Sequence, residues 1–374
     1  MKQNLRLALL LVVLLFSACS PLPQVSTPLP DALVTSTAQV SSAPVLTDVS
    51  LPAAYGVKES WFELYFTNPT SPFAAQKTGG PDVPLAAAID EARLSVDAAI
   101  YSLSLNSVRD ALIHAYERGV QVRVVMESDN LDRADPQKLI DAGIPVLGDR
   151  REGLMHDKFI VIDNSEVWTG SMNFTDTGAY SDNNNLIRIR SVKVAEDYST
   201  EFKEMFVDDK FGPDTVAATP YPRVTINGVP LDIYFSPDDQ VANSLLDLIN
   251  NAQQNIYFMA YSFTSDPLAE AIRQRAEAGV TVEGVMDSGQ IGSNIGTEFD
   301  PFRQAGLDVR RDGNPGLMHH KVIIIDGQVV VAGSYNFTNS AETRNDENVV
   351  VIYDSTIAAQ YLAEFQRVYN QATP

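Results

Sequence analysis

The sequence predicts an α/β protein made of two homologous domains, and three observations carry that expectation. The chain has 374 residues, 45% of them apolar and 20% charged, which is material for two ordinary globular cores rather than one. After residue 55, strand-like runs alternate with amphipathic helical stretches, the pattern of a sheet covered by helices. The third observation is a repeat: GLMHDKFIVID at 153–163 returns as GLMHHKVIIID at 316–326, and GSMNFT at 170–175 returns as GSYNFT at 333–338.

The first segment is not part of either domain. Lys2 and Arg6 precede an apolar run at 7–16, then Phe16, Ser17, Ala18 and Cys19. This resembles a bacterial lipoprotein signal peptide over 1–18, with Cys19 as the lipidated first residue of the mature chain; an ordinary secretory signal is the alternative. The run is too short for a transmembrane helix, which needs about 20 residues. Residues 19–55 follow, with Pro21, Pro23, Pro28, Pro30, Pro44 and Pro52 among Ser, Thr, Val and Ala. That composition reads as an extended tether, and roughly 30 coil-like residues would span about 30 Å. The expected location is therefore the extracytoplasmic face of a membrane.

The domains are expected at 56–215 and 216–374. Each begins with a strand carrying Tyr-Phe (Tyr65-Phe66; Tyr234-Phe235) and continues into a helix (86–93; 243–252). A strand then ends in Tyr-Ser (Tyr101-Ser102; Tyr261-Ser262) before a second helix (106–118; 267–278) and a further strand (120–126; 280–286). The offset between the copies is 163 residues through the repeated block, where it also carries Asn185 onto Asn348 and Glu201 onto Glu364, but 160 upstream, so the second copy holds three extra residues. Near 71–83 the first copy carries an insertion.

Within the repeated block two apolar runs flank a turn, 158–162 with 167–170 and 321–325 with 329–333. With Asn164-Ser165 and Gly327-Gln328 as two-residue hairpin loops, Lys158 faces Ser171 and His156 faces Asn173. Alternation then puts His156, Lys158, Ser171 and Asn173 on one face at the open end of the hairpin, and His319, Lys321, Ser334 and Asn336 likewise. Asp157 and His320 fall on the opposite face, outside the chemistry. Asp163 and Asp326, five residues beyond each Lys and thus about 16 Å away, belong to the closed end and to the turn.

The twin pattern HxKxxxxDxxxxxxGSxN at 156–173 and 319–336 resembles the phospholipase D superfamily, over essentially the whole chain after the tether. The resemblance implies two phospholipase D-like domains, each a mixed β-sheet flanked by helices, packed as a pseudo-dimer. One active site then draws a His, a Lys and an Asn from each half, with no cofactor and no metal. Cleavage of a phosphodiester through a covalent intermediate needs a nucleophile and an acid on opposite sides of phosphorus, and histidine serves in both roles near neutral pH. Lys158, Lys321, Asn173 and Asn336 would hold the non-bridging oxygens, with Ser171 and Ser334 in support. Family members place a carboxylate downstream to orient the His; Glu347 lies 28 residues after His319, whereas the matching position after His156 is Asn184. The expected arrangement is therefore His319 paired with Glu347 as the protonated acid, and His156 neutral as the nucleophile. Asp182 is a substitute for the missing carboxylate.

Other features narrow the substrate less. The balance of 27 basic against 48 acidic residues, a net charge of −21, argues against avid binding to a polyanion. One Cys excludes an intrachain disulfide, and four His leave little for metal sites. His114, Trp61, Trp168, Tyr101, Tyr261, Glu127 and Asp287 read first as packing or surface residues. Three functions compete: hydrolysis or transphosphatidylation of phospholipids, endonuclease action of the same superfamily with nucleic acid as substrate, and a catalytically inactive surface-binding lipoprotein. A monomer with internal pseudo-two-fold symmetry is expected.

Overall fold

The computed structural model describes residues 46–374; the expected signal peptide, Cys19 and most of the tether lie outside them. Two mixed sheets form the frame. The first contains β1 (Thr47–Leu51), β2 (Ala54–Lys58), β3 (Phe62–Thr67), β4 (Ser95–Ile100), β5 (Gln121–Met126), β6 (Val146–Gly148), β7 (Lys158–Ile162), β8 (Glu166–Gly170) and β9 (Asn185–Arg190), in the order β1-β2-β3-β9-β8-β7-β4-β5-β6. The second contains β10 (Arg223–Ile226), β11 (Val229–Ser236), β12 (Asn255–Ala260), β13 (Thr281–Met286), β14 (Asp308–Arg311), β15 (Lys321–Ile325), β16 (Val329–Gly333) and β17 (Glu347–Tyr353), in the order β10-β11-β17-β16-β15-β12-β13-β14. Among the described residues the parallel strand pairs are those bridged by helices: Asn106–Glu117 joins β4 to β5, Ala134–Asp141 joins β5 to β6, Asp266–Glu277 joins β12 to β13, and Ser288–Ser293 with Phe299–Gln304 join β13 to β14.

The sheets share a core. One apolar cluster combines Phe159, Val161 and Ile187 of the first sheet with Ile233, Val322 and Ile324 of the second. It also takes in the helices Val192–Phe206 and Ser355–Gln371 through Tyr198, Phe202, Tyr361 and Phe365. The Tyr198 ring packs edge-on against Phe159 of its own half and Phe235 of the other, both at 5.0 Å. Both helices are capped, because Ser191 and Asp354 accept the N–H groups of Val194 and Ile357, which have no acceptor in the first helical turn. Two further clusters fill the outer face of each sheet.

Two expectations need correction. The tether was expected to run to residue 55, but β1 and β2 are antiparallel strands at the edge of the first sheet. Val49 and Leu51 pack on the outer core, and Pro52 sits in the turn between the strands, where it removes no ladder bond. The hairpin register is also one residue off: Ile162 pairs with Glu166 and Ile325 with Val329. The turns contain Asp163-Asn164 and Asp326-Gly327, all four with φ of 50–60°, so the left-handed dipeptide lies one residue earlier than expected. Strict alternation also fails at Gly170 and Gly333, with φ of 148° and 152°. A Cβ there would lie 2.4 and 2.1 Å from the carbonyl oxygens of Asn185 and Asn348.

Candidate active site

The open ends of the two hairpins meet at the boundary between the halves. The His156 N–H donates to the Asp346 carbonyl at 3.0 Å, and the Asp346 N–H donates to Leu154 at 2.9 Å. The repeat returns this bridge, with His319 donating to Asn183 at 3.0 Å and Asn183 to Leu317 at 2.7 Å. Each reactive His is therefore stitched by its backbone to the other half. Glu127 accepts the Met155 N–H and Asp287 accepts the Met318 N–H, both at 3.0 Å, holding the residue before each His.

The side chains cross in the same way. His156 Nδ1 lies 2.7 Å from Glu347 Oε2, while His319 Nδ1 lies 3.0 Å from both the Asn184 Oδ1 and the Ser171 carbonyl. The expected His319–Glu347 pair is thus corrected: Glu347 orients His156, and Asn184 orients His319. Spacing within one copy counts residues to the end of β9 or β17, but the interface bridges deliver those ends to the opposite hairpin. Asp182 does not replace the missing carboxylate; its Oδ1 accepts the Leu317 N–H at 3.0 Å. Ser171 Oγ donates to Asn184 Oδ1 at 2.8 Å, and Asn184 Nδ2 donates to the Gly178 carbonyl at 2.9 Å. With only acceptors facing it, His319 Nδ1 carries the proton, which leaves Nε2 for chemistry. Ser334 accepts the Asn348 N–H at 3.0 Å, next to Glu347.

Lys158 and Lys321 are 1% exposed, and each donates to the carbonyl of its own motif His. Tyr101 and Tyr261 form the wall behind them. The Lys158 ammonium lies 4.9 Å from the Tyr101 ring centre and the Lys321 ammonium 4.7 Å from Tyr261, and the same rings meet His156 and His319 edge-on at 4.8 and 4.6 Å. Sequence reasoning weighed these tyrosines, and Glu127 and Asp287, as packing or rim residues; their matched 160-residue offset was the available signal. Asn173 and Asn336 are half-buried, each with an Oδ1 lacking a protein partner among the described residues.

Burial dominates the electrostatics. It pushes both imidazoles well below their ordinary range, helped by the two neighbouring ammoniums, while the Glu347 carboxylate at Nδ1 opposes this for His156. Burial also lowers Lys158 to about 7 and raises Glu347 to about 7. Lys321 is pushed well below its usual value by burial and by Lys158. Burial disfavours charge on the two lysines and two imidazoles of this dry site, and an anion held between them would favour their cationic forms.

The remaining motif residues stand apart. Asp163 accepts the N–H groups of Arg93, Leu94 and Ser95, and Asp326 those of Gln253, Gln254 and Asn255, tying each hairpin turn to the strand beside it. Asp157 and His320 face the interface between the halves, where Asp157 meets Asn348 and His320 meets Asn185.

A family model described as cardiolipin synthase, PLD-like domain, matches residues 85–206 and 245–369, more than half of the chain. A phospholipase D from Rickettsia bellii is 30% identical over 172 residues, 44% of this chain and 81% of that protein. A mitochondrial cardiolipin hydrolase from Xenopus tropicalis is 34% identical over 136 residues, 36% of this chain and 64% of that protein. Its counterpart from Chlamydomonas reinhardtii is spanned over 56% of its length. The phosphatidylserine synthase of Haemophilus influenzae shares the fold, with a TM-score of 0.59 at 14% identity over 78% of this chain and 84% of that one.

Proposed function

The chain belongs to the family of cardiolipin synthase-type, phospholipase D-like domains, and from that premise we propose that it cleaves phospholipid phosphodiesters through a phosphohistidine on His156. The observation that carries this reading is the crossed pair, His156 with Glu347 and His319 with Asn184, above two buried lysines. Relatives named phospholipase D and cardiolipin hydrolase support a lipid over a nucleic-acid substrate, as does the net charge of −21.

In the proposed reaction the anionic diester, once bound, favours the doubly protonated form of His319. His156 Nε2 attacks phosphorus as the bond to the leaving alcohol breaks, and the His319 imidazolium gives that oxygen its Nε2 proton while keeping the one on Nδ1. Lys158, Lys321, Asn173 and Asn336 hold the non-bridging oxygens. The phosphorylated ring of His156 keeps its Nδ1–H and is cationic, so Glu347 stabilises it. His319, with only neutral acceptors, yields its proton more readily than a carboxylate-bound imidazole. It then takes a proton from the incoming water, whose oxygen displaces His156; an alcohol in that place gives transfer instead. His156 thus remains the nucleophile, for a reason opposite to the sequence expectation.

Purified protein incubated in chelator with mixed liposomes, and separately with single-stranded and duplex DNA, tests the reading. Headgroup release without DNA cleavage is expected. DNA cleavage without headgroup release selects an endonuclease, and inactivity on both, unchanged in His156→Ala, selects a binding protein. Mass-spectrometric mapping of a trapped phosphohistidine to His319 would overturn the nucleophile. The protein is proposed to act as a monomer, exported and anchored through lipidated Cys19, the reading that Lys2, Arg6 and the apolar run before Cys19 support.

A further inference from the structure

The halves differ most in the polar layer between them. His320, Glu364 and Arg367 of the second half correspond, at the 163-residue offset, to Asp157, Glu201 and Glu204 of the first. In the second set both His320 nitrogens and both Glu364 oxygens are matched. His320 Nδ1 meets the Asn185 amide at 3.0 Å, its Nε2 donates to Glu364 Oε1 at 2.9 Å, and Arg367 donates to the same carboxylate at 2.7 and 2.8 Å. In the first set all three are acids. Asp157 Oδ1 accepts from Asn348 at 2.6 Å, the counterpart of the Asn185 contact. Among the described residues that leaves Asp157 Oδ2 and Glu201 Oε1 without a hydrogen-bond partner, on residues 0% and 5% exposed. Glu204, in the place of Arg367, accepts the Val216 N–H and lies 3.5 Å from Lys210.

We propose that Asp157 Oδ2 and Glu201 Oε1 share one proton, in the place of the His320–Glu364 bond, and that this carboxyl pair is a positioning device for His156 and Glu347. Both orphaned oxygens lie on the residues that the repeat matches to the bonded pair His320 and Glu364, Asp157 acts electrostatically on Glu201, and two buried anions with no cation at Arg367's position would repel. A single proton converts that repulsion into a short, strong bond. Among the described residues no His, Cys, Asp and Glu cluster has the arrangement of a metal site. The groups facing the pair work in both directions: Lys158 favours the anion on Asp157, whereas Glu347, Asp238, Asp346 and Glu204 favour the acid. Burial is the largest influence, raising Asp157 to about 7 and Glu201 well above its ordinary value.

The link to the site is covalent. Asp157 follows His156 and Asn348 follows Glu347, so the Asp157–Asn348 bond at 2.6 Å runs beside the His156–Glu347 contact at 2.7 Å. Loss of the shared proton drives Asp157 from Glu201 and strains the neighbouring contact. Because the folded pair binds a proton that unfolded carboxyls release above about 4, its contribution to stability is present at low pH and lost as pH rises through about 7 and beyond. The positioning role rests on the reading of His156 and Glu347 as reactive groups.

The test uses the full chain and the variants Glu201→Gln and Asp157→Asn. Infrared spectra in D2O at mildly acidic pH should show a protonated-carboxyl band that each variant loses. Wild-type thermal stability should fall between mildly acidic and mildly alkaline pH, and Glu201→Gln, whose amide is a permanent donor to Asp157, should flatten that fall. On a soluble aryl phosphodiester the alkaline limb of kcat in Glu201→Gln should move up by about one pH unit at unchanged KM. An intact band and an unchanged melting profile in Glu201→Gln overturn the shared proton. Band loss with an unmoved limb overturns the positioning role. A wild type inactive on every diester, with band and melting profile as stated, sinks the phosphodiesterase reading and leaves the shared proton standing.

Discussion

The two halves carry the same hairpin, yet the second lends its neighbour a carboxylate and the first lends only an amide. Glu347 reaches His156 at 2.7 Å, and Asn184 reaches His319 at 3.0 Å. Backbone bridges, lysines and tyrosine walls repeat almost unchanged. The duplication therefore preserves the groups that would grip a phosphate in the proposed reaction and varies what sets imidazole basicity. An in-line displacement makes that demand, since its two sides need an attacking group and a donating group.

The largest expected effect comes from removing either imidazole. His156→Ala and His319→Ala should each lose about 10^4-fold in kcat on phospholipid. An activated p-nitrophenyl diester, whose leaving group needs no proton, should restore much of the activity of His319→Ala and none of that of His156→Ala; restoration in the opposite sense reverses the roles of the halves. Next, Glu347→Gln should cost about 10^2-fold in kcat, more than Asn184→Ala. Asn184→Asp should make the halves alike and move the titration of His319 upward by about one unit, read from the pH profile of kcat/KM.

Smaller effects test what the halves share. Asp163→Asn and Asp326→Asn each weaken three backbone N–H contacts and should each destabilise by about 2 kcal/mol in denaturant titrations, with kcat nearly unchanged. For Asp326, whose carboxyl lies below its ordinary range because, burial notwithstanding, three N–H groups hold it, the contribution is present above the unfolded value of about 4 and lost on acidification below it. Tyr101→Leu and Tyr261→Leu remove the ring beneath each ammonium and should raise KM a few-fold, in line with about 1 kcal/mol for a cation–π contact. Unequal effects of the two tyrosines would show that the walls, too, have diverged.

Much of this molecule was legible in its residues. Repetition of GLMH and GS at fixed spacing located both hairpins, and alternation of apolar runs with helices implied a helix-covered sheet around them. Three things were not legible. The partner of Glu347 depends on how β17 docks against the other copy, which distance along one chain does not encode. The register slip came from reading Asn164-Ser165 as the turn when Asp163-Asn164 take the left-handed conformations. β1 was hidden because a five-residue edge strand flanked by prolines has the composition of a linker. Asp157 was set aside because it points away from the hairpin's reactive face, although that direction leads into the seam that holds Asn348 beside Glu347.

The connection between Phe206 and Arg223 joins the end of one half to the first strand of the other. In a dimer of separate identical subunits an isologous interface is self-complementary, so any contact that suits one imidazole is imposed on its mate. Fusion into one chain removes that constraint, and with it the need for a single side chain to serve as both giver and receiver at the same address. A fragment carrying either half alone would regain the constraint and could rebuild only a uniform centre, with two carboxylates or with none.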